Sequence, residues 1–264
     1  MPGRHQPGRP SSPWSVDPDL IAGMRREQAR RALSSGDARA ALVEAEELLD
    51  DHPGDVAALD VVGQAALVLG DAPMAAQALA QRTAGGCDDA DVWTLLGLAS
   101  LHAADLQAAG RALDRSLSID ESQPLAWHLR GRLRDQLGED SAADHARAAA
   151  LDPVRFPLPR QLPDATWDEA LAQALDDLDP VVAAACRALD LRWQEQPASA
   201  DLLPGTSPLA PLLARTDDTG ALREVLLFRR NIGWPPASRD ELAARISDAL
   251  DLLARAWTSP AQAR

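Results

Sequence analysis

Gly36, Gly70, Ala104 and Gly138 stand 34 residues apart, and that step constrains the chain more than any other feature. Ala41, Ala75, Ala109 and Ala143 keep the same step, as do Gly63, Gly97 and Gly131, and the pair Trp93 and Trp127. Several registers sharing one period describe a stacked repeat unit of two helices joined by a turn. A glycine at the turn supplies a helix C-terminal cap. The small residue of the first helix lets the second approach closely, and the alanine of the second helix faces it where a larger side chain would overpack. The tryptophans fill the gap between neighbouring repeats.

The pattern resembles the tetratricopeptide repeat family, over repeats at about 22–55, 56–89, 90–123 and 124–153. The third repeat, with Trp93, Leu96, Gly97 and Ala109, matches best; the first has Ala29 where glycine is usual. The fourth closes early at Leu151-Asp152-Pro153, which suggests that the array stops there and something else packs on it. The resemblance implies a helical solenoid of about four pairs whose groove holds a protein or peptide partner. Arg26, Arg30, Asp60, Gln64, Thr94, His128 and Arg132 fall at positions that line such a groove, with basic ends suited to an acidic peptide or a free carboxylate. The same side chains also fit an ordinary solvated face. The lysine and asparagine of a carboxylate clamp are not found.

Beyond Arg155 the texture changes. Arg155–Pro163 reads as an extended linker, because its three prolines lock φ and remove donors. Thr166 and Glu169 read as a capping box opening a helix to about Asp177, and Asp179-Pro180 opens a second helix. Leu189–Glu195 and Arg223–Arg229 read as strands, with a short helical piece near Leu209–Leu213 between them. A capping box at Ser238 and Glu241 opens a last helix whose apolar face carries Leu242, Ile246, Ala249, Leu253 and Trp257. The expected fold is mainly α, a tail over 1–18 without fixed structure, repeats over 19–153, and a small α+β domain over 154–264.

The run Val225–Ile232, followed by Ser238–Leu242 and Ile246, resembles the small zincin-like metallopeptidase domain found in many bacteria, with Leu162-Pro163, Trp167 and the Trp193–Pro197 strand end fitting more loosely. In that family the last helix bears two histidines four apart that bind zinc, with a glutamate that activates water. The matching positions here are Leu252, Leu253 and Ala256, none able to ligate a metal or move a proton. The five histidines are His5, His52, His102, His128 and His145, all before this domain. The chain also ends seven residues after Trp257, where the family places a further acidic ligand. The resemblance therefore implies a domain that has lost its zinc site, with no metal, no cofactor and no catalytic residue. The alternatives are a zinc peptidase with atypical carboxylate and cysteine ligands, or a pseudoenzyme that regulates an active homologue through the edge of its Val225–Phe228 strand.

Charge and composition narrow the partners. With 26 basic against 40 acidic residues the formal charge is -14, which argues against nucleic acid. No apolar run reaches a membrane span, and Met1–Val16 lacks the hydrophobic region of a secretory signal, so a cytoplasmic protein is expected. Cys87 and Cys186 are too few for a disulfide framework; Cys186, in an apolar run, reads as a buried structural thiol. His102 and His128 fall on first helices of repeats, open either to a partner contact or to ordinary packing, and His145 is expected to face outward.

Overall fold

A computed structural model describes residues 18–158, 161–198, 202, 206–235 and 237–258. The tail expected to lack fixed structure lies outside these residues, except Pro18, which opens the first helix. The chain divides into two compact units, Met1–Gly85 and Gly86–Arg264, so the expected joint at 153/154 falls inside the second unit.

The first unit holds two helix pairs, α1 (Pro18–Ser34) with α2 (Ala38–Asp51) and α3 (Val56–Leu69) with α4 (Ala72–Ala84). Two more pairs open the second unit: α5 (Ala90–His102) with α6 (Leu106–Ile119), and α7 (Pro124–Leu137) with α8 (Ala142–Leu151). Within each pair the residue on the 34-step ends the first helix in the left-handed region: Gly36 at φ +86°, Gly70 at +81°, Ala104 at +60° and Gly138 at +72°. That conformation closes a crossed pair of backbone hydrogen bonds, as where Gly70 N donates to Leu67 O at 3.2 Å and Asp71 N to Ala66 O at 2.9 Å. The next residue then starts the second helix. The carboxylates of Asp37, Asp71 and Asp105 accept from the backbone N–H of Ala40, Met74 and Ala108 at 3.0, 3.0 and 2.9 Å. Two residues thus stop one helix and begin another.

Close packing accounts for the glycines of the first helices. A Cβ on Gly63 would lie 2.6 Å from Leu79 Cγ, and one on Gly97 2.7 Å from Leu113. The residue facing the glycine is therefore a leucine, while Ala41, Ala75 and Ala109 are buried beside it. The fourth pair departs from the alanine register. Glu139 replaces aspartate after Gly138, α8 starts only at Ala142, and the later start rotates the helix. Ala143 turns to solvent, and Asp144, His145 and Ala148 turn inward. Trp93 and Trp127 each donate their indole N–H to the turn before their own helix, at Cys87 O and Glu121 O, both 2.8 Å.

The rest of the second unit is α9 (Asp164–Asp177), α10 (Pro180–Arg187), β1 (Asp190–Gln194), β2 (Leu212–Thr216), β3 (Leu222–Phe228), α11 (Arg229–Ile232) and α12 (Arg239–Thr258). The strands form one sheet in the order β1-β3-β2, with β1 parallel and β2 antiparallel to β3. Trp193 lies opposite Leu227, and Leu213 opposite Leu226. The piece expected to be helical at Leu209–Leu213 instead enters β2. Gly220, at φ +81°, and the Asp217 carboxylate, which accepts from Thr219 and Ala221, turn the chain back onto β3. A short leucine run reads alike in either state until its pairing partner is known.

Two start signals hold and one does not. Asp179 accepts from Val181 N at 2.9 Å, and Ser238 and Glu241 cap each other at 2.7 and 3.3 Å. Thr166 caps nothing among the described residues, because α9 begins earlier, behind Pro163. Val225 and Leu227 of β3 pack with Trp167, Ala170 and Ala174 of α9, Ile232, and Leu242, Ile246 and Leu250 of α12. The apolar face of α12 reaches Leu253, whereas Trp257 is 37% exposed.

The left-handed turn residues carry a stability prediction. Ala104→Gly should raise the free energy of unfolding by about 1 kcal/mol, because a non-glycine residue there holds a strained φ, and Gly70→Ala should lower it by a similar amount. Urea titration followed by far-ultraviolet circular dichroism reads both; a loss in Ala104→Gly would contradict the account.

Candidate functional site

Among the expected groove residues of the first unit, Arg26 is committed to structure. Its guanidinium lies 2.6 Å from the Asp55 carboxylate, which also caps α3 by accepting from Ala58 N at 2.9 Å. Burial pushes the Asp55 carboxyl up, but the Ala58 and Arg26 hydrogen bonds together hold it below the usual range. Arg30 is exposed and, among the described residues, has no carboxylate partner. It lines an open hollow between α1 and α3 with Leu33, Ala57, Asp60, Val61 and Gln64. Asp60 is anchored from behind by Arg82 of α4 at 3.0 Å. The hollow therefore presents a cation at one wall, an amide and an anchored carboxylate at the other, and an apolar floor.

The second unit treats its expected groove residues differently. Thr94 is 2% exposed; its hydroxyl donates to Ala90 O and meets Ser116 Oγ at 2.7 Å, so it ties α5 to α6 and lines no surface. His128 and Arg132, on α7, are covered by the chain's own C-terminal part. The His128 ring stacks on Trp234 at 4.5 Å between centroids and lies 5.2 Å from Phe156. Arg132 donates to Asn231 Oδ1. Gln136 donates to Pro197 O at 2.7 Å, and Gln196 donates to Asp135 O at 2.6 Å.

Asp135 is the electrostatic centre of this contact. Its buried carboxylate pairs with Arg230, accepts from Ser141 Oγ at 2.5 Å and meets His145 Nε2 at 3.0 Å. Burial pushes the carboxyl up, but the hydrogen bonds from His145, Ser141 and Arg230 outweigh that and bring it down to about 2. An ionised Asp135 requires the Nε2 proton on His145. Against the expectation that it faces outward, His145 is buried beneath Gly131, where a Cβ would lie 2.8 Å from its ring. The rotated start of α8 is the cause. His128, buried beside Arg132 and His145, is held neutral, its value brought down to about 3, chiefly by burial.

Sequence reasoning missed Asn231, Trp234, Ser141 and Asp135 as interaction residues; the Asn231 pairing spans 99 residues and that of Trp234 is longer still, so neither leaves a local signal. It also missed a cavity of about 500 Å³ lined by Trp167, Glu195, Arg229, Arg230 and Trp234. Its arginines are already matched: Arg229 by Asp164 at 2.6 Å and Glu195 at 3.7 Å, Arg230 by Asp135. On α12, Leu252 and Ala256 are exposed and Leu253 packs against the core. Among the described residues no three histidine, cysteine, aspartate or glutamate side chains gather as a metal-holding group. Cys87 and Cys186 are both buried and unpaired by disulfide.

No family model matches the sequence, and no curated protein does. Solved structures do. The chain is similar to the MamA protein at 20% identity and TM-score 0.49, over 51% of this chain and 75% of that one. It is also similar to TTC0263, a thermophilic TPR protein of Thermus thermophilus, at 20% identity and TM-score 0.42, over 50% and 75%. YrrB, a TPR protein with an unusual peptide-binding site, aligns at 16% identity and TM-score 0.44, over 65% and 97%. The helix pairs of this chain keep the 34-residue step by their own turn geometry. No helix among the described residues is long and apolar enough to cross a membrane.

The two depressed values set a pH dependence. Between about pH 6.5 and 3 the unfolded chain protonates His128 while the folded chain does not, so stability falls as pH drops through this window. Asp135 adds a further loss from about pH 4 towards 2, as its hydrogen-bonded carboxylate is protonated. His128→Phe should flatten the urea-midpoint profile between pH 6.5 and 4; an unchanged slope would show that His128 titrates normally in the fold.

Proposed function

We propose that the protein is a non-catalytic interaction module that holds a partner segment against the first helices of its repeats. The observation that carries this reading is the hollow between α1 and α3, where Arg30 meets solvent opposite Asp60 and Gln64 over Leu33 and Val61. A single cation above an apolar floor suits a peptide with a carboxylate next to an aliphatic side chain. Arg26 supports the hollow by tying α1 to the cap of α3 and makes no partner contact in this reading.

The C-terminal elements follow as a degenerate peptidase-like domain. Two helices, then strands, then a long last helix support the zincin-like resemblance, although β2 and the short α11 add to the order that it implies, and α12 carries Leu252, Leu253 and Ala256 where that family carries its zinc motif. Its role here is to pack on α7 and α8 through Asn231, Arg230 and Trp234.

Two measurements test the reading. Crosslinking in the native host should recover a partner whose yield falls about tenfold or more in Arg30→Glu, with the circular dichroism of the variant unchanged. A partner yield that ignores Arg30 would sink the groove assignment. Elemental analysis of untagged protein should find no stoichiometric zinc; one zinc per chain would restore the peptidase reading.

A further inference from the structure

The first helices of the second unit, α5 and α7, are not open, and the piece that lies on them belongs to this same chain. Ser207, Pro208, Leu209 and Ala210, just before β2, run across both helices. His102 Nδ1 of α5 meets Ser207 Oγ at 2.9 Å. Leu209 packs on the apolar cluster that includes Leu101 of α5 and Leu129 and Leu133 of α7. On the far side one amide reads two backbone carbonyls. Asn231 Nδ2 donates to Pro208 O at 2.9 Å and to Ala210 O at 2.6 Å, while its Oδ1 accepts from Arg132 of α7.

This set of contacts differs from that of an ordinary core strand. The segment belongs to no helix or strand; within its own turn Ala210 N donates to Ser207 O and Leu209 N to Ser207 Oγ, both at 3.1 Å, and side chains meet its Ser207 hydroxyl and its Pro208 and Ala210 carbonyls. Its hydroxyl is met by an imidazole, its carbonyls by an amide, its leucine by an apolar seat. Those are the three elements by which a helical face reads an extended peptide: backbone hydrogen bonds, one polar pocket and one hydrophobic anchor. Pro208 is buried, whereas Ser207, Leu209 and Ala210 are only partly so, and the segment as a whole is half-exposed. A half-exposed contact persists in one chain because tethering gives the segment a millimolar-scale effective concentration.

We propose that the α5–α7 face is a peptide-binding groove held closed by Ser207–Ala210, and that its partner is an extended, uncharged segment with a small hydroxyl residue followed by proline and leucine. The internal segment sets the threshold that such a partner must exceed. The inference rests on the interaction reading above, but it concerns the second unit, and Arg30→Glu leaves α5 and α7 untouched.

The probe is a fluorescein-labelled peptide copying residues 206–211, added to the full-length chain and followed by anisotropy. Leu209→Asp empties the apolar seat, and Ser207→Ala removes the hydroxyl that meets His102; both changes lie in the tethered segment and leave α5, α7 and Asn231 intact. Each variant should bind the peptide about tenfold or more tighter than the unaltered chain. Adding His102→Ala should weaken that binding, and a peptide with aspartate in place of its leucine should not bind. The proposal is overturned if folded variants bind no better than the unaltered chain, or if His102→Ala changes nothing. It is equally overturned if both variants lose their helical signal, since the segment would then be part of the core. Loss of Arg30-dependent partner capture with peptide binding intact would fault only the first-unit groove.

Discussion

Everything in the repeat portion depends on a backbone conformation that most residues avoid. One left-handed residue after each first helix reverses the chain in the shortest distance that still satisfies the terminal carbonyls. The aspartate that follows at Asp37, Asp71 and Asp105 then satisfies the first amides of the next helix. Because reversal and restart occupy neighbouring residues, the second helix is held in a fixed phase. Only in that phase do Leu79 and Leu113 descend onto Gly63 and Gly97. Ala104 shows that the conformation is imposed by the surroundings, since alanine takes it at φ +60° against its own preference.

In the second unit that timing changes once. With Glu139 after Gly138 the helix restarts late, and the side chains brought to the interface are polar. Buried polar groups must be matched, and here the Asp144 carboxylate and His145 Nε2 are, while His145 Nδ1 has no hydrogen-bond partner among the described residues. Asp144 is held by Arg130 at 2.8 Å and Arg134 at 2.9 Å, and His145 by Asp135. Matching them draws in Arg230 from the C-terminal part, so a local change of phase becomes a long-range attachment. Asp135 is the shared member of that attachment, accepting from α8 through Ser141 and His145 and from α11 through Arg230.

Much of this architecture was legible from residue order, and the boundary between legible and illegible is physical. The 34-step, the Asp179-Pro180 start and the Ser238–Glu241 box are local devices, and each forms as read. The strands around Leu191 and Val225 likewise follow from alternation and buried runs. Strand β2 was not legible, because Leu212–Thr216 becomes a strand only through its partner β3. Nor was the fate of the groove residues. Arg26, Thr94, His128 and Arg132 sit on the right helices, yet Asp55, Ser116, Trp234 and Asn231 claim them. Position on a helix can be counted along a chain; the presence of a second claimant cannot.

The polar seam between α7 and α8 also limits which helices of this molecule could be exchanged. The leucine-and-glycine contact lies inside its own pair in both α3–α4 and α5–α6, so their second helices present the same leucine to the same glycine. The seam offers no such equivalence. Asp144 and His145 of α8 need Arg130, Arg134 and Asp135 of α7 opposite them, and against a first helix without those residues two buried polar groups would be stranded. The α8 helix is therefore matched to α7 alone, a lock cut for one key among the pairs.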